Sequence, residues 1–181
     1  SLVSVMVLVS VVPVGQAADV MPAMRVAKAT RPELGSSAIF APDGSLLAVA
    51  KQGEHVMIYR SSDEGRTWSP PAVVNAQPEA ISADGENRPK IAFAADGGLL
   101  VSWTHPFPKP NTGAIRLARA DDGQTFSAPQ TVHRDPAEIT HRFESLLPLP
   151  DNRVILAWID KRDLEAAKAN KNAWRGAGIY A

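Results

Sequence analysis

The sequence contains no cysteine, which removes disulfide staples, thiolate nucleophiles and Cys-ligated zinc together. Nor does it carry an excess of either charge: 19 Lys and Arg balance 19 Asp and Glu. A basic face for nucleic acid is therefore not expected. Histidine is scarce, and His55, His105, His133 and His141 show no HExxH or comparable spacing, so neither a metal nor another cofactor is expected from the pattern. Helical periodicity is nearly absent as well. Only "DLEAAKANKNAW", residues 163–174, shows a weak apolar stripe, and it reads as a loop insertion with one or two turns.

Long apolar runs are also missing, with one exception at the start. Leu2 to Val12 is apolar apart from Ser4 and Ser10 but shorter than the roughly 20 residues of a comfortable membrane span. Gly15 and Ala17 follow it with the small side chains that signal cleavage requires. Residues 1–18 therefore read as a secretory signal peptide whose basic start is missing, and residues 19–35 as a linker or outer strand. A secreted or periplasmic protein, with no membrane span in the mature chain, is the expectation.

What fills the remainder is a repeat. "SSAIFAPDGSLLAVAK" from Ser36, "RPKIAFAADGGLLVSWTH" from Arg88 and "RFESLLPLPDNRVILAWIDK" from Arg142 each alternate strand, tight turn and strand. Their turns place Gly or Asn where φ > 0 is needed. The turn aspartates Asp43, Asp96 and Asp151 recur roughly 54 residues apart, slightly more than the usual blade length. Third strands follow at His55, Gly113 and Gly176, and short fourth strands rich in Val and Thr follow the first two. A four-stranded meander leaves two faces to cover, so the units must stack on one another. Radial stacking gives an all-β propeller, with blades near 36–75, 88–134 and 141–181. Two and a half blades cannot close a ring, so the chain is expected to be a fragment of a longer protein.

The third strand of the first unit ends in "SSDEGRTW" (residues 61–68), and that of the second in the weaker "RADDGQTF" (residues 119–126). Aligning Asp63 with Asp121 pairs Gly65 with Gly123, Thr67 with Thr125 and Trp68 with Phe126. Ser61 and Asp63 have oxygens suited to capping turn N–H groups, Gly65 suits a left-handed turn, and Trp68 is expected to be buried. Asp63 and Glu64 are unsuited to be a catalytic pair, because adjacent strand residues point to opposite faces. The first segment matches the SxDxGxTW pattern of the Asp-box, or bacterial neuraminidase repeat. Over residues 36–181 the chain resembles the N-terminal part of a sialidase-superfamily protein.

That resemblance implies a six-bladed propeller, Asp-boxes on the rim away from the active site, and chemistry at the opposite rim. It also implies three arginines that clamp the substrate carboxylate, an aspartate that protonates the leaving group, and a tyrosine nucleophile assisted by a glutamate. The expected mouth collects residues before each first strand and between the second and third strands. Candidate substrate-binding residues are Arg31, Arg88, Arg142, His105 and His141, and candidate acid/base residues are Asp160 and Asp163. Guanidinium forks suit a carboxylate. The tyrosine and glutamate would belong to later blades. Two functions remain open: an exported sialidase-like glycoside hydrolase acting on sialic acid or a related acidic sugar, or a non-catalytic Asp-box propeller that binds glycan or protein.

Overall fold

The computed structural model describes residues 34–171, 173 and 176–181. The signal-peptide reading, the 19–35 linker up to Glu33, Arg31 and Trp174 lie outside these residues. Eleven strands are present among the described residues: β1 (Ser36–Phe40), β2 (Leu46–Gln52), β3 (His55–Ser61), β4 (Ala72–Val73), β5 (Lys90–Phe93), β6 (Leu99–Pro106), β7 (Gly113–Ala120), β8 (Gln130–Thr131), β9 (His141–Pro148), β10 (Val154–Asp160) and β11 (Gly178–Tyr180). They form antiparallel sheets in the orders β1-β2-β3-β4, β5-β6-β7-β8 and β9-β10-β11. Each sheet is one blade of an all-β propeller, and the third has three strands.

The repeated Asp turns are built alike. Asp43 and Asp96 accept from the N–H groups of Ser45 and Gly98 at 3.0 and 3.1 Å, and Asp151 accepts from Arg153 N–H at 3.3 Å. Gly44, Gly97 and Asn152 occupy the left-handed position with φ of 84°, 88° and 62°, where other side chains are strained. Arg60 and Arg119, one on each third strand, reach back to Asp43 and Asp96 at 2.5 and 2.8 Å. Adjacent blades are linked here as well, because Asn152 Oδ1 accepts the Asp96 N–H at 2.9 Å.

In the Asp-box, Asp63 Oδ1 accepts from the Thr67 N–H at 2.8 Å while Oδ2 accepts its hydroxyl at 2.6 Å. Ser61 Oγ accepts the Gly65 N–H at 2.8 Å, and Gly65 has φ 86°. Both box oxygens are thus committed to the turn. These bonds, the Thr67 hydroxyl first, hold Asp63 down at about 2. In the second box Gly123 is left-handed, as Gly65 is, but the alignment of Asp121 with Asp63 is off by one residue. Asp122 accepts the Gln124 and Thr125 N–H groups at 2.8 and 2.6 Å, while Asp121 instead pairs with Arg119 at 2.6 Å.

Blades pack through apolar faces. Leu47, Val49, Val56 and Ile58 of the first blade join Leu99, Val101, Trp103 and Ala118 of the second in one buried cluster, against which Phe126 rests. Ile115 joins Leu156 and Trp158 of the third blade in another. The expected burial of Trp68 is corrected: it is 43% exposed on the rim, lying over Gly65. The core tryptophan is Trp103, fully buried with its indole N–H donated to Glu79 at 2.7 Å. The insertion after β10 holds a two-turn surface helix, α1 (Arg162–Ala169), with a Lys168–Glu165 pair at 2.9 Å and no buried residue.

Trp103→Ala is expected to cost about 3–5 kcal/mol in urea denaturation, as a deleted core aromatic does. Trp68→Ala should cost only about 1–2 kcal/mol, because much of its ring never leaves water. Equal losses would contradict this assignment of the core.

Candidate functional site

Strand direction sorts the loops onto two rims. The Asp turns and Asp-boxes share one rim; the starts of β1, β5 and β9 and the β2–β3, β6–β7 and β10–β11 connections share the other. At this second rim, between blades two and three, polar side chains converge on Glu144. Its carboxyl is 1% exposed, although its strand begins at the rim. The Thr104 hydroxyl donates to Glu144 Oε2 at 3.1 Å and the Ser102 hydroxyl to Oε1 at 3.4 Å. Alternation along β6 turns Ser102 and Thr104 toward Glu144 and Trp103 and His105 to the opposite face.

A local irregularity brings Glu144 inward. Phe143 has φ 62°, and the β9–β10 register slips between Ala157 and Ile159. The resulting bulge adds a residue to β9 and breaks its alternation. His141 and Glu144 are both fully buried, while Phe143 is turned toward solvent.

Above Glu144, Arg142 bridges the blades. Its guanidinium donates to Asn87 Oδ1 at 3.3 Å and Asn111 Oδ1 at 3.1 Å, and its NH2 lies 3.6 Å from Asp84. Arg88 pairs with Glu86 at 3.0 Å. Lys90 donates to the carbonyls of Glu86 and Arg88, both at 2.7 Å. Arg88 and Arg142 thus flank the 84–88 loop, as the sequence suggests, but each is engaged with protein partners.

Burial pushes the Glu144 carboxyl up to about 7; the Lys90 charge, its own N–H and the Thr104 and Ser102 hydroxyls offset this only in part. Lys90 is pulled down by burial against the attraction of Glu144. Loss of water outweighs the mutual attraction, and both groups move toward neutrality.

The other predicted residues fall elsewhere. His105 Nδ1 faces the Ala80 carbonyl at 2.9 Å and its ring meets Phe107 edge-on. Asp160 is fully buried. Burial works to raise its pKa, but Arg162, the Trp158 indole and His141 overcome that and hold it low. Arg162 bonds it through NH2 at 2.5 Å and Nε at 3.0 Å, and the Trp158 N–H through 3.0 Å. A carboxylate so held keeps its negative charge, the opposite of what a proton donor needs. Asp163 accepts the Tyr180 hydroxyl at 2.8 Å. His141 lies beside Asp160 and Asp135, away from the Glu144 carboxyl hydrogen bonds. Sequence reasoning gave Glu144 no role; its one available signal was a carboxylate next to Phe143 near the start of a strand.

No family model matches the chain, and no curated protein matches it. Solved structures do. An alpha-L-arabinanase of Penicillium chrysogenum, complexed with arabinobiose, is similar at 20% identity and TM-score 0.55, over 81% of this chain and 44% of that one. The alpha-L-arabinofuranosidase arb93a of Fusarium graminearum, with an iminosugar inhibitor, is similar at 19% identity and TM-score 0.55, over 72% of this chain and 41% of that one. A Dyadobacter fermentans protein of unknown function is similar at 22% identity and TM-score 0.50, over 69% and 33%. The chain thus spans less than half the length of each, and the likeness establishes a shared fold: part of a β-propeller.

The folded-state pKa of Glu144 lies above its ordinary 4.5, so the folded chain binds the extra proton between pH 4.5 and 7 and loses stability as pH rises through that window. Glu144→Gln should remove this loss. Its stability relative to wild type is expected to grow by up to about 3 kcal/mol between pH 4.5 and 7.5, as read by urea denaturation at several pH values. A pH-independent difference would contradict the raised value.

Proposed function

We propose that the chain is part of an exported β-propeller of the glycoside hydrolase class, and that the rim around Glu144 binds the sugar. The observation that carries this reading is a buried carboxyl near the start of an inner strand, bonded by the Thr104 and Ser102 hydroxyls, whose burial raises its pKa to about 7. Such a carboxyl can give its proton to a glycosidic oxygen, a step worth typically 10²–10⁴-fold in rate. The Lys90 ammonium is positioned to steady the carboxylate left behind. Asn111, exposed at this rim, offers an amide of the kind sugar hydroxyls use, with Arg142 bonded behind it. This assignment moves the acid/base role from Asp160 and Asp163 to Glu144.

A neutral sugar fits this rim better than sialic acid. A carboxylate clamp needs arginines free to turn their forks to the ligand, whereas Arg142 is held by Asn87, Asn111 and Asp84 and Arg88 by Glu86. Arabinobiose, held in one of the similar structures, is a neutral sugar. A non-catalytic glycan-binding propeller is the second reading, favoured by the near-complete burial of Glu144.

The full-length protein assayed on an aryl arabinofuranoside and an aryl sialoside separates these readings. Hydrolysis of the first, with an alkaline limb near pH 7 and a kcat at least 100-fold lower in Glu144→Gln at similar KM, is expected. Oligosaccharide binding without turnover would select the binding module. Turnover of the sialoside, weakened by Arg88→Ala and Arg142→Ala, would restore the acidic-sugar reading.

A further inference from the structure

We propose that Thr104 and Asn87 are positioning residues that pass the protonation state of Glu144 to the Arg142 guanidinium at the rim. For catalysis this role rests on the reading of Glu144 as the acid; the coupling itself needs only the hydrogen bonds.

One hydroxyl proton faces two acceptors. Thr104 Oγ1 lies 3.1 Å from Glu144 Oε2 and 3.5 Å from Asn87 Oδ1. The Asn87 amide is oriented from outside: Arg142 Nε, which can only donate, lies 3.3 Å from Oδ1, and Nδ2 donates to Asp84 Oδ1 at 2.8 Å. Glu144 is 1% exposed and Ser102, Thr104 and Asn87 are 0% exposed, so bulk water does not reach this proton.

A hydroxyl has one proton and two lone pairs. Against an ionised Glu144 it donates to the carboxylate, because a buried acceptor facing an acceptor is costly. Against a protonated Glu144 whose O–H sits on Oε2, Thr104 Oγ1 accepts and its own proton turns to Asn87 Oδ1. Asn87 Oδ1 therefore serves two donors when Glu144 is neutral and Arg142 alone when it is charged. Arg142 Nε is held more tightly in the charged state.

Linkage makes the effect reciprocal. A ligand that shifts Arg142 off Asn87 frees Oδ1 for the Thr104 proton, and an arriving sugar thereby keeps the acid in its proton-bearing form. The charged groups around Glu144 are Lys90 on β5, Arg142 on β9, and Asp84, Glu86 and Arg88 in the 84–88 loop, while β6 faces it with the two hydroxyls. Lys90 favours the charged form. None of these is altered by a change at Thr104, which isolates the hydroxyl.

Nuclear magnetic resonance of the full-length protein, with glutamate labelled at the carboxyl carbon and arginine at Nε, tests this without any sugar. The Glu144 carboxyl is expected to titrate at about 7, with the Arg142 Nε–H signal following the same midpoint. Glu144→Gln, which removes the titration, assigns both signals. Thr104→Val should move the Glu144 midpoint up by about half a unit and remove most of the Arg142 Nε–H response, and Thr104→Ser should restore both. A response absent from wild type, or undiminished in Thr104→Val, would overturn the proposal. The expected pattern in a protein that hydrolyses no glycoside would support the coupling while removing its catalytic meaning, so the two readings fail separately.

Discussion

Everything in this chain depends on the stacking of sheets that cannot stand alone. A four-stranded meander has two apolar faces, and a single blade leaves at least one of them in water. The cluster that joins Val49 and Ile58 to Trp103 meets this need between blades one and two; Ile115 with Leu156 and Trp158 meets it between two and three. Stacking fixes the angle between sheets, and this brings the starts of β5 and β9 together. The polar rim is a product of apolar packing lower in the sheets.

The same stacking determines what happens to charge. Glu144 lies between two blades and is cut off from water by both, so its protonation follows from its position on β9 more than from any single neighbour. Asp160, equally buried, is kept ionised by Arg162 and Trp158. The pKa values of two carboxylates at the same rim are thus pushed in opposite directions by environment alone. The bulge at Phe143 is the backbone device that permits it, because a regular strand would turn His141 and Glu144 to opposite faces.

The repeat was readable in the sequence because its signals are local. Asp43, Asp96 and Asp151 each act within a few residues, and Gly44, Gly97 and Asn152 announce the turns they permit. The turn at Asp63 was legible for the same reason, although in the Asp121–Asp122 doublet only the hydrogen bonds show that Asp122 caps the turn while Asp121 pairs with Arg119. The failures concern burial. Trp68 has the residue type of a core but lies on a rim, and Asp160 has the type of a proton donor but serves as an anchor. Glu144 depends on a bulge and on a neighbouring blade. Residue type and spacing carry no record of either.

The two rims differ in how freely they can change. On the Asp-box side, turn length is pinned by side-chain bonds such as Asp63 to Thr67, so an added residue would break the fastening. The opposite side carries residues 53–54, 107–112 and 161–177 as the corresponding connections in the three blades, the last of them enclosing a helix. Strand pairing is undisturbed across that range of lengths. One edge of the molecule is therefore open to insertion and the other closed to it, so new specificities can arise by lengthening loops at the polar rim while the scaffold keeps its shape.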